Sequence, residues 1–144
     1  MPNPTRPSIH HIALTVTDLD RSVAWYEKVF DIRYQMEVPH QGGTGKVLAN
    51  DTWQMMIALH HHDANQSEQF AETRTGLDHV GLIVPTRADL EAWQAHLEDL
   101  GVERATTADR PYTQSPIEER SFGSILVFRD PDNIQLELFT PPSS

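Results

Sequence analysis

HIALTV at residues 11–16 returns as HVGLIV at 79–84, an offset of 68 residues (79 minus 11). At the same offset, Ala24-Trp25 returns as Ala92-Trp93. A duplicated pattern means one supersecondary unit built twice, so whatever the first copy folds into, the second must fold into as well. Each run is apolar, rich in branched side chains and closed by turn-prone residues, which reads as a strand. Each is followed by a helical stretch, at 18–30 and at 86–101. Val23, Tyr26 and Phe30 in the first, and Leu90, Trp93, Leu97 and Leu100 in the second, recur every three or four residues. Asp18 or Asp20 suits the first N-cap and Gly101 the second C-cap. The paired tryptophans read as core anchors.

Short strand candidates follow each helix: 32–38, 45–50 and 53–60, then 102–108, 124–130 and 134–140. The loop HQGGTG interrupts the first set and a long loop, 109–123, the second. Loops of that length are often functional. The expected organisation is a βαβββ module over 8–60, a polar linker over 61–76 and a second module over 77–141. The fold class is α+β: two modules forming one curved, cup-shaped mixed sheet, with helices outside.

Side chains alternate faces along a strand. Ile12, Leu14 and Val16 share a greasy face, which leaves His11, Ala13 and Thr15 on the other. Val80, Leu82 and Val84 leave His79 and Gly81; Leu136 and Leu138 leave Gln135, Glu137 and Phe139. Met55, Ile57 and Leu59 leave Gln54, Met56, Ala58 and His60. If helices cover the greasy faces, the opposite faces collect His11, His79 and Glu137. Two imidazoles and a carboxylate suit a divalent transition metal with open coordination positions. Ala13, Thr15, Gln54, Met56, Ala58, His60, Gln135 and Phe139 would line the pocket. His10 is one residue out of phase and is expected to point away. Arg129 precedes the turn DPDN, where binding a substrate anion and a structural pairing with Asp130 or Asp132 are equally open readings.

HHIALTVTDLDRSVAWYEKVF, then LDHVGLIV, then FRDPDNIQLELF resemble, in order and spacing, the vicinal oxygen chelate superfamily. That group includes glyoxalase I, extradiol dioxygenases, fosfomycin-resistance thiol transferases and bleomycin-binding resistance proteins. The resemblance covers roughly residues 8–141, and the last motif resembles the family's DPDGNxxEL ending. It implies metal ligands at His11, His79 and Glu137, with Fe, Mn, Ni, Co or Zn acceptable. It also implies a homodimer, often with the site shared between two chains. The fourth ligand usual in glyoxalase I aligns with Ala58, which cannot bind metal; His60 could substitute only if the strand were shifted. A three-ligand site fits extradiol cleavage or thiol transfer better. Arg110, Arg120 and Arg129 do not form an obvious phosphonate-binding cluster. Glu137 is the candidate proton-transfer carboxylate, and Tyr112, in the long loop, is a candidate lid or proton donor.

The expected function is therefore a metal-dependent lyase, isomerase, transferase or dioxygenase acting on a small oxygenated molecule. The alternative is a metal-free drug-binding protein of the bleomycin-resistance type. A formal charge of −10 argues against a nucleic-acid partner. No apolar run is long enough to span a membrane. Cysteine is absent, which excludes thiolate and disulfide chemistry and makes a cytoplasmic setting the expectation.

Overall fold

The computed structural model describes residues 3–143; Met1, Pro2 and Ser144 lie outside the described residues. The chain divides between Gln66 and Ser67 into two compact units. Their repeated order is the α+β fold of two βαβββ-type modules in mixed sheets.

The first unit runs β1 (Ile12–Thr15), α1 (Leu19–Phe30), β2 (Arg33–His40), β3 (Gly43–Ala49) and β4 (Met56–His62). The strands lie in the order β1-β4-β3-β2, with β1 parallel to β4 and the other pairs antiparallel. Asp18 caps α1 by accepting from the Arg21 amide, and Asp31 ends it in the left-handed conformation. Helix α1 packs on β3 and β4. Leu14, Val16, Tyr26, Ile32, Leu48 and Leu59 are buried in this core, as is Trp25. Lys46 reaches Asp20 of α1 at 3.3 Å, which puts that phase of β3 on the helix side.

The second unit runs β5 (Val80–Ile83), α2 (Arg87–Asp99), β6 (Glu103–Arg104), β7 (Thr113–Gln114), β8 (Glu118–Arg120), β9 (Gly123–Arg129) and β10 (Gln135–Thr140). Its order is β5-β10-β9-β7-β6, with β8 also paired to β9. Thr86 and Asp89 form a capping box at the start of α2. Gly101, at φ +87°, follows its last turn as the C-cap reading expects. Leu90, Leu97, Leu126, Phe128, Leu136 and Leu138 are fully buried. Trp93 is only half-buried. No helix among the described residues is long and apolar enough to cross a membrane.

Three stretches differ from the sequence reading. HQGGTG is not a loop: β2 and β3 continue to a turn at Gln41-Gly42, with Gly42 at φ +81°. Strand β4 starts later and runs on to His62, so His61 and His62 belong to the strand and not to the linker. Gln54 lies in the preceding bend, after Trp53 at φ +58°, and is not a strand residue on the pocket face. The 109–123 loop contains β7 and β8, because β9 is long enough to pair with both.

Candidate functional site

His11 and His79 hold the same place in their units, each immediately before the first strand. Both are exposed. Each has its Nδ1 held by the residue before it. The His79 Nδ1 lies 2.7 Å from Asp78 Oδ1, and the His11 Nδ1 lies 2.9 Å from the His10 Nδ1. His10 thus does not point away: its ring sits edge-on to that of His11, with centroids 5.1 Å apart. A partner on Nδ1 orients an imidazole and frees Nε2 for a ligand.

Within the second unit, His79 Nε2 stands 3.1 Å from Glu137 Oε2. Glu137 is in mid-β10 between the buried Leu136 and Leu138, and its side chain is 18 % exposed. Strands β5 and β10 are parallel, with Gly81 opposite Glu137. A nitrogen and an oxygen donor therefore converge on one space, with Asp78 behind the nitrogen. The sequence reading did not single out Asp78, although an acid directly before a candidate ligand was a readable signal.

The register also locates the glyoxalase-type fourth position. Ala13 pairs with Ala58 in the first unit as Gly81 pairs with Glu137 in the second. Ala58 thus holds the structural place of Glu137, and it is buried. His60 pairs with Thr15, as Phe139 pairs with Ile83. It is therefore one pleat beyond the fourth-ligand place.

The other expected lining residues separate by unit. Ala13, Thr15 and His60 line a hollow of about 390 Å³ in the first unit. Met56 starts β4 and is half-buried. Gln135 and Phe139 share the Glu137 side of β10, and Phe139 stacks on Phe122 with centroids 6.3 Å apart. Tyr112, at φ +61°, serves the fold through its backbone carbonyl, which accepts from the Glu103 amide. Among the described residues, no three His, Cys, Asp or Glu side chains are grouped so as to hold a metal ion as they stand.

The arginines are already engaged. Arg110 pairs with Asp109 and Arg120 with Glu118. Arg129 pairs with an acid outside the turn that follows it. It meets Glu72 through both terminal nitrogens at 3.0 Å, and donates to the Ala108 and Asn133 carbonyls. Asp130 instead closes its own turn by accepting the Asp132 and Ile134 amides at 2.8 Å. Asn133, at φ +70°, takes the left-handed place that the family ending gives to glycine.

The family profile described as Glyoxalase/Bleomycin resistance protein/Dioxygenase superfamily matches residues 8–138. Among individual proteins, the chain is 31% identical to the uncharacterized protein YaeR of Escherichia coli K12, over 91% of this chain and 94% of that one. It is 28% identical to the metallothiol transferase FosB of Bacillus licheniformis, over 92% of this chain and 74% of that one. Among solved structures, a glyoxylase/bleomycin resistance protein/dioxygenase domain from Frankia sp. EAN1pec superposes with a TM-score of 0.82 at 30% identity. That match covers 97% of this chain and 96% of the other.

Proposed function

The chain belongs to the Glyoxalase/Bleomycin resistance protein/Dioxygenase superfamily, and from that premise we propose that it is a metal-dependent enzyme acting on a small oxygenated substrate. The observation that carries this reading is the convergence of His79 Nε2 and Glu137 Oε2, with Asp78 on the far side of the imidazole. A carboxylate held on Nδ1 is the partner that metal-ligating imidazoles commonly have, which supports the reading. His11 holds the equivalent place of the first unit and is the third ligand that the family resemblance implies, supplied by this chain or by the second chain of a homodimer.

Two imidazoles and one carboxylate leave open positions on a divalent Fe, Mn, Ni, Co or Zn ion. When bound, such an ion polarises a substrate oxygen as a Lewis acid. His79 and Glu137 then bind and orient, and Asp78 holds the proton on His79 Nδ1. With Ala58 at the fourth position, no second carboxylate is available there for the paired proton transfers of glyoxalase I chemistry. The resemblance to a metallothiol transferase supports transfer of a thiol to a metal-held electrophile. Arg110, Arg120 and Arg129 are each engaged by a carboxylate, which weighs against a phosphonate substrate and keeps dioxygen chemistry on a catechol as the other enzymatic reading.

The test is the metal content of untagged protein purified without chelator, together with its solution mass. One transition metal per chain and a dimer are expected. Iron directs the substrate screen to catechols; zinc, nickel or manganese directs it to thiol transfer and isomerisation. Absence of any bound metal, even after reconstitution, would replace this reading with metal-free sequestration of an aromatic molecule. A second expected result concerns Asp78. Asp78→Ala should weaken metal binding by roughly 10–100-fold, the usual contribution of an outer partner. Unchanged affinity by chelator competition would remove Asp78 from the site.

A further inference from the structure

A second donor cluster lies on β2 and β4 of the first unit. In the sheet register, His40, Gly43 and His62 form one row, and Val38, Gly45, His60 and Thr15 form the next. All these residues point to the same side, away from Lys46 and α1. The His40 ring centroid lies 5.1 Å from that of His60 and 4.9 Å from that of His62; His60 and His62 are 6.3 Å apart. The three rings wall the 390 Å³ hollow together with Ala13, Thr15 and Val38.

Two glycines make room for this arrangement. A Cβ on Gly45 would clash with the His60 ring, and one on Gly43 would clash first with the His61 carbonyl and then fall 2.7 Å from the His40 ring. The imidazoles thus lie over bare backbone at alternate residues of β3. The second unit does not repeat this: Phe139 stands where His60 stands in the first.

The hydrogen bonding decides what the cluster can take. His40 Nδ1 lies 3.1 Å from the Gln41 carbonyl, which can only accept, so Nδ1 carries the proton. Its Nε2 then presents a lone pair, and this atom is buried without a hydrogen-bond partner among the described residues. An anion would bring a further acceptor and leave that lone pair unsatisfied. A cation that accepts nitrogen lone pairs satisfies it.

We propose that His40, His60 and His62 form a second, all-nitrogen site for a borderline transition-metal ion such as Zn²⁺, separate from the His79–Glu137 centre. The rings do not share an ion as they stand. Metal–nitrogen bonds of about 2.0–2.1 Å require the nitrogens to converge. Closure then requires a change of rotamer at His62, whose side chain is exposed at the strand end.

The experiment is a Zn²⁺ titration of metal-stripped, untagged, full-length protein at pH 7.5, read by calorimetry and by bound metal per chain. Wild type, His79→Ala, His62→Ala and the His40→Ala/His62→Ala double variant are compared, with folding checked by circular dichroism. One equivalent that survives in His79→Ala and disappears in the double variant is expected. His62→Ala alone removes only an exposed side chain and should weaken that equivalent while the fold persists. Gly45→Ala, which displaces the His60 ring, should weaken it by roughly 10-fold or more. If the double variant retains the wild-type stoichiometry and affinity, the inference is wrong. If the only equivalent present vanishes in His79→Ala, it is wrong and the family-type centre stands. If the only equivalent vanishes in the double variant alone, the inference holds and the His79–Glu137 centre fails.

Discussion

His79→Ala and Glu137→Ala should each abolish tight metal binding at the family-type centre while leaving the fold in place. The expected loss exceeds the roughly 10–100-fold that an outer-sphere partner contributes, because a directly bonded donor is removed. The fold survives for a physical reason. The His79 side chain is 38 % exposed and precedes its strand, and Glu137 is a half-buried residue whose neighbours Leu136 and Leu138 carry the packing of β10. Losing one exposed ion pair alters stability by about 1 kcal/mol or less. The pair is therefore separable from the core, as a functional pair should be. Metal analysis and thermal unfolding of both variants check this together. Full metal stoichiometry in either variant would remove that residue from the ligand set. Loss of folded protein would instead make the pair structural.

The repeat made most of this legible. A single offset of 68 residues aligned the two first strands and placed His11 and His79 at equivalent positions, and β1 with β4 and β5 with β10 repeat one parallel pairing, although β10 lies 79 residues after β4 (137 minus 58). Alternation then separated Glu137 from Leu136 and Leu138. Periodicity could not see what depends on strand ends and on distant pairing. The Gly-Gly-Thr-Gly stretch reads as a loop because glycine disfavours strands. Its alternate glycines are instead the bare backbone over which His40 and His60 lie. His40 was missed for the same reason, since it stands in what read as loop. His10 has no strand phase to obey because β1 starts only at Ile12, so it was free to turn toward His11. For Arg129 the sequence reading weighed only the adjacent acids as pairing partners and missed Glu72, which lies 57 residues away in a segment that reads as linker.

The Arg129–Glu72 pair carries a large stability effect in the second unit. Arg129 is 5 % exposed, with its guanidinium bonded to Glu72, the Ala108 carbonyl and the Asn133 carbonyl. The Phe70 amide donates to the Asp132 carbonyl, and the Asn133 side chain donates to the Phe70 carbonyl. Residues 70–72 are thus fastened to the Asp-Pro-Asp-Asn turn from which β10 carries Glu137. Glu72→Gln leaves the buried guanidinium without its counter-charge. A fully buried broken pair costs ~3–5 kcal/mol. Because the Glu72 side chain is 34 % exposed, solvent screening reduces the expected cost to about 2 kcal/mol. The pH dependence has a definite sign. The Arg129 hydrogen bonds hold the Glu72 carboxyl at about 2, below its ordinary 4.5. The unfolded chain therefore binds this proton first as pH falls. The pair's contribution is complete above the ordinary carboxylate value and is lost as pH drops from there toward 2. Urea unfolding of wild type and Glu72→Gln at pH 7, 5, 4 and 3 should show two curves that lie furthest apart at pH 7 and converge in acid. Parallel curves across that range would mean that Glu72 titrates in the native protein as it does in the unfolded chain. The linker would then not be clamped to the turn through its charge.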